Sequence, residues 1–189
     1  AANPAPGGVF IRPTNRCQAP DPAGTLREGL MGIAASDLRQ HVIRPTLLYL
    51  GRHSSTAEAL LLGAAASQSG LGSVLDDRQG HGLYRISELR HQQLWDQHLA
   101  RDPDLASLVR GLASQHAFLA APHLELTVNL RYATAIAWLL VEREQPNLPE
   151  PDDLHGMARI WRQVFQPQGR LRDFLQAWQH CVREPYQAA

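Results

Sequence analysis

Residues able to do chemistry cluster along one apolar stretch and the turn that follows it. The stretch "TAEALLLGAAASQSGLG", residues 56–72, carries Glu58 near its start and Gln68-Ser69-Gly70 near its end. Asp76 and Asp77 come next, then "HGLYRI" with Tyr84 and Arg85, then Ser87-Glu88. A carboxyl group at the buried end of a helix suits general acid catalysis, because burial raises its pKa towards working pH. Gln68 places an amide there, which has no dissociable proton near neutrality. Glu58 lies ten residues earlier, ~15 Å along a helix axis and on another face. Asp76 and Asp77 are the residual acid candidates, although two aspartates ahead of a glycine also read as solvated turn formers.

Other chemistries find less support. Of the nine histidines, none falls in a HExxH motif or at a Cys/His metal spacing. His91 and His98 share a helix face by spacing but lack a third ligand, so no metal and no cofactor is expected. The two cysteines, Cys17 and Cys181, are too few and too distant for a disulfide framework or a zinc site. Two free thiols made in a reducing cytoplasm, or one long-range pair, both fit.

The elements that would position these residues follow from periodicity. Residues 1–31 read as an extended N-terminal arm, with Pro4, Pro6, Pro13, Pro20 and Pro22 and the apolar triplet Val9-Phe10-Ile11. A helix is expected from Ser36 to Gly51, kinked at Pro45. A second, buried on all sides, begins with a Ser55/Glu58 capping box and stops at Gly70 and Gly72. Residues 73–86 read as a small hairpin or irregular loop, and Ser87 opens a helix containing Trp95. Asp102-Pro103 starts another through about Leu119. His123 to Glu144 is the longest periodic run, with Leu124, Val128, Tyr132, Ala135 and Leu139 in one stripe. Helices at about 152–165 and 170–183 follow, in which Trp161 and Trp178, like Trp138 before them, read as core residues. The expected fold is mainly α: one helical domain of six or seven helices over 32–183 with one small β hairpin, and a C-terminal tail at 184–189.

Bulk properties narrow the partners. The chain has 189 residues, 44% hydrophobic and 19% charged, and its formal net charge is zero. A neutral surface disfavours a grip on nucleic acid or an anionic membrane. No apolar run reaches the ~18 residues of a membrane span. The N-terminal residues lack the basic and apolar regions of a signal peptide.

Three blocks together, "TAEALLLGAAASQSGLG", "HGLYRI" and "NLRYATAIAWLL", resemble the goose-type lysozyme and lytic transglycosylase family. The likeness is to the version found in bacteriophage virion proteins, and it covers about residues 40–180. It implies a lysozyme-like domain whose single catalytic glutamate would stand at position 68, which is Gln68 here. In that family a strand glutamine lies along the sugar cleft, where this chain has Arg85. The residue after the strand, often glutamate in the phage version, is Ser87. The cleft candidates that the resemblance supplies are Ser69, Tyr84, Arg85, Asn129 and Tyr132; Asn129 reads equally well as a buried tie between helix and loop.

Three polar changes in one cleft fit a pseudoenzyme. The leading expectation is a structural phage virion protein, made in the host cytoplasm and joined to other virion proteins in an oligomeric assembly through its arm. The alternatives are a virion-associated muramidase or lytic transglycosylase, and a module that binds peptidoglycan without cleaving it.

Overall fold

The computed structural model describes residues 32–77, 79–145 and 147–183. The arm, with Val9-Phe10-Ile11 and Cys17, and the tail at 184–189 lie outside the described residues. What is described is mainly helical, around one continuous apolar core.

The first helical stretch runs as α1 (Ala35–Asp37), a π-helical segment (Leu38–Ile43) and α2 (Arg44–Tyr49). Pro45 sits in the first turn of α2, which continues directly from the π-helical segment. The departure from α geometry lies upstream of the proline, in the π turn. Its i→i+5 ladder stacks residues five apart, which puts Arg39 and Arg44 on one side. Both guanidiniums reach Glu58, at 2.9 and 2.6 Å.

That contact corrects the capping expectation. The N-cap of α3 (Ser55–Ser69) is Ser54, whose hydroxyl accepts from the Ala57 amide at 3.0 Å. Glu58, 2% exposed, serves instead as the hub of an ion cluster completed by His53 at 2.7 Å. Burial by itself would push its carboxyl up. Hydrogen bonds from Arg44, His53 and Arg39 outweigh that and hold it down at about 2.

α3 is the central helix. Leu60, Leu61 and Leu62 are all buried, each worth about 1.5–3 kcal/mol over exposure. The absence of a side chain at Gly63 lets α10 (Leu171–Trp178) approach: a Cβ there would lie 2.3 Å from the Phe174 ring. α3 ends in a left-handed Gly70, the usual glycine termination.

Beyond it, β1 (Asp76–Asp77) pairs antiparallel with β2 (Gly80–His81). α4 (Glu88–Gln97) starts at the Ser87 cap, and α5 (Pro103–Leu112) at the Asp102 cap. The helix expected to continue to Leu119 stops at Leu112; α6 (Gln115–Ala120) is separate. The run from His123 is likewise broken. A 3-10 turn (Pro122–Leu124) and α7 (Glu125–Val128) meet α8 (Leu130–Glu144) at 108°. Leu124 and Val128 therefore leave the buried stripe and are 47% and 63% exposed. α9 (Leu154–Val164) and α10, extended by a π-helical turn (Gln179–Arg183), pack on α3. Trp138 and Trp161 are buried core residues, and Trp178 packs against the core. Among the described residues no single helix is long and apolar enough to cross a membrane.

Candidate functional site

The end of α3 is held by side chains that serve the fold. Ser69, fully buried, donates its hydroxyl to the Leu83 carbonyl at 2.7 Å and accepts from the Gly72 amide at 2.9 Å. It thereby pins the helix end to the turn at 82–85. Gly82 is required there, since a Cβ would overlap the Leu126 carbonyl. Gln68, one residue earlier, is 7% exposed, and its amide Nε2 donates to the Phe165 carbonyl at 3.3 Å, beyond the end of α9. Its side chain bridges two helix ends.

Tyr84 and Tyr132 are fully buried. Tyr84 meets the Thr134 hydroxyl at 3.2 Å. The Tyr132 hydroxyl lies 2.7 Å from His91 Nε2 and accepts from Trp95 Nε1 at 3.0 Å. Burial pushes both phenols up, so they stay neutral. His91, 1% exposed, also meets His123 ring nitrogen to ring nitrogen at 2.9 Å. Burial, with the nearby His123 and His81, lowers its pKa to about 4. Of the histidine pair His91 and His98, His91 is thus a satisfied core residue. Among the described residues no group of three or more His, Cys, Asp or Glu side chains could hold a metal ion.

Asn129 ties helix to loop. Its Oδ1 caps α8 by accepting from the Tyr132 amide at 3.0 Å, while its Nδ2 donates to the Leu112 carbonyl at 2.7 Å and to Glu125 at 2.9 Å. Glu125, a fully buried carboxylate, also accepts from the backbone amide and hydroxyl of Ser114. This buried carboxylate was not singled out in the sequence. The helical period that runs through it hides the break at Asn129, and an asparagine inside a periodic run was the available signal.

The open surface near Gln68 is a groove of about 420 Å³. Arg85 and Ser87 form one side, Arg90 and Gln93 of α4 another, Arg143 and Glu144 the end of α8, and Gln163 and Phe165 the end of α9. Gln68 lies behind Phe165 and outside this lining. Of the cleft candidates, only Arg85 reaches the groove; Ser69, Tyr84 and Tyr132 are enclosed and Asn129 lies elsewhere in the fold. Asp76 and Asp77 form β1.

Arg90 donates to the Val164 carbonyl and to Glu144 at 2.7 Å, and Arg143 meets the same Glu144 oxygen at 3.2 Å. Among the described residues the lining carries three guanidiniums and one carboxylate, on a chain whose formal net charge is zero. Arg85 also has an unusual backbone. The turn closes with its amide donating to the Gly82 carbonyl at 3.1 Å, and its φ is +49°. That left-handed position favours glycine, and a non-glycine residue there costs roughly 1–2 kcal/mol. The arrangement presents cationic and amide donors to an open groove, and Glu144, the acid among its described lining residues, is ion-paired with Arg90 and Arg143. Comparison with protein-family models, with curated proteins and with solved structures gives no match for this chain.

Proposed function

We propose that this chain is a structural protein of a bacteriophage particle, built on a lysozyme-like helical domain that does not cleave peptidoglycan. The observation that carries the non-catalytic part is Gln68. It stands where the resemblance places the catalytic acid, and its amide is spent on the Phe165 carbonyl behind the groove. A residue so placed can neither protonate a glycosidic oxygen nor reach one. The resemblance to phage virion proteins and the proline-rich arm support the assembly role: the arm joins the domain to other virion proteins, after synthesis in the host cytoplasm.

The polar groove favours a second reading, a module that binds peptidoglycan and leaves it intact. One experiment separates the readings. Purified cell walls are incubated with the full chain and with Gln68→Glu, and turbidity, released muropeptides and co-sedimentation are followed. The expected outcome is no release by either protein. In the variant, a carboxyl facing the Phe165 carbonyl would hold its proton against that oxygen, and loss of a general acid already costs ~10²–10⁴-fold. Robust lysis by Gln68→Glu would mean that the catalytic arrangement is intact, and lysis by the unaltered chain would establish an enzyme. Co-sedimentation without release would favour the binding module. Recovery of the chain in gradient-purified particles tests the virion assignment directly.

A further inference from the structure

Glu58 gathers two guanidiniums where one would neutralise it. Its Oε1 accepts from Arg44 Nε at 2.6 Å and from His53 Nε2 at 2.7 Å. Its Oε2 accepts from Arg39 Nε at 2.9 Å and from Arg44 Nη2 at 3.1 Å. The carboxyl group stays ionised down to about 2, so it only accepts, and these four contacts fill its acceptor sites. Each guanidinium is thus fixed through its Nε side, and its outer Nη1–Nη2 edge has no further acceptor among the described residues. The two arginines come from one π-helical turn, in which the Arg44 amide donates to the Arg39 carbonyl. In an α-helix, residues five apart would point ~140° away from each other; π turns inside helices often accompany functional sites. The two arginine side chains are 38% and 46% exposed, while Glu58 beneath them is 2% exposed.

We propose that Arg39 and Arg44 form a preorganised site for the phosphoryl group of a soluble phosphate monoester. Both guanidiniums share Oε2 of Glu58, so one small oxyanion can meet the outer edges of both. The terminal oxygens of a phosphoryl group accept from two directions at once, whereas a carboxylate presents a single two-oxygen face. Glu58 holds the forks in place before any ligand arrives, which removes part of the ordering cost of binding. Arg52 does not belong to the site, because its Nε is paired with Glu142 at 2.7 Å. A soluble ester is favoured over an anionic lipid surface, because a formal net charge of zero supplies no long-range field for a membrane. The inference is independent of the virion assignment and of the groove lined by Arg90.

The test uses the full chain in about 0.15 M salt, where weak surface attraction is screened. Phenyl phosphate and acetate are the probes, followed by calorimetry and by the arginine Nε–H resonances. Saturable binding of phenyl phosphate is expected, with shifts at Arg39 and Arg44. Acetate should bind about 10-fold more weakly or worse. Arg39→Gln should weaken phenyl phosphate about 10-fold as well, with the helical circular dichroism retained because Glu58 keeps Arg44 and His53. Arg39→Lys, which keeps the charge and loses the fork, should not restore binding, and Arg52→Gln should bind as the unaltered chain does. No saturable binding, equal affinity for acetate, or indifference to Arg39→Gln would overturn the proposal. An equal loss with Arg52→Gln would reduce the effect to general surface charge and overturn it too. Co-sedimentation with vesicles containing phosphatidic acid, without binding of phenyl phosphate, would overturn the soluble source.

Discussion

Arg85 shows how a single residue can be placed against its own backbone preference. Its φ of +49° follows from a turn in which the Gly82 carbonyl accepts its amide and His81 pairs with Ile86 in both directions. Gly80 packs directly on its peptide, with a Cβ at Gly80 falling 2.4 Å from the Arg85 carbonyl oxygen. Backbone contacts from its neighbours thus hold the turn at this position. Arg85→Gly should relieve ~1–2 kcal/mol of left-handed strain and give back ~0.5–1 kcal/mol in backbone entropy. A net gain of about 0.5–1 kcal/mol is expected, read as a melting temperature about 1–4 °C higher. A lower melting temperature would show that the arginine side chain holds the turn together. Gln68 presents the opposite case, a residue whose type was conspicuous in the sequence and whose burial behind Phe165 was not. Nothing in residues 56–72 states that the end of α9 will lie against the end of α3.

Between elements, the cluster of His91, His123, Tyr132 and Trp95 joins α4, the 3-10 turn at Pro122–Leu124 and α8. Arg110 of α5 lies over the Trp95 ring, and His81, paired with Glu88, stacks on His123. His91 is neutral in the fold at pH values where an unfolded histidine is already protonated. Its folded pKa of about 4 lies below the unfolded value of ~6.5. The unfolded chain therefore binds more protons in between, and stability falls as pH drops through that window. The loss should be on the order of 3 kcal/mol between about pH 6.5 and 4, measured by urea unfolding across that range. His91→Gln should flatten most of this slope while leaving a separate loss below about pH 4.5, where the unfolded chain protonates Glu58 and the fold holds it ionised down to about 2. An unchanged slope in the variant would assign the acid sensitivity to other groups. The histidine cluster also bears on legibility. Spacing alone paired His91 with His98, whereas the fold pairs it with His123, because α4 and the 3-10 turn come together across 32 positions of chain.

For the whole molecule, the described domain begins at Gly32, against the Gly70 and Leu71 carbonyls, and its core extends to Val182. Among the described residues, α3 and α8 supply the largest share of this core. On the proposed assembly role, removal of residues 1–31 should leave the helical circular dichroism and the melting temperature nearly unchanged while abolishing assembly, as judged by native mass. A truncated chain that melts much earlier and still assembles would make the arm part of the domain's own core.

The mainly α class, the burial of α3 on all sides, and the termini at Ser87, Asp102 and Gly70 are local matters. Each depends on residues within a few positions of one another, so periodicity and caps reveal them. Where that local logic was equally satisfied by two answers, the chain alone was silent. The run from His123 to Glu144 carries an unbroken helical period, yet it bends by 108° at Asn129. The bend is stabilised by the Leu112 carbonyl and by Glu125, whose carboxyl group accepts in turn from Ser114. Glu58 satisfied a capping rule in sequence, but two arginines from the first helical stretch and His53 claim its carboxylate. The groove is the extreme case: Arg85, Arg90, Arg143 and Gln163 share no spacing. They meet because the start of α4 and the ends of α8 and α9 lie at one place, brought together by long-range packing.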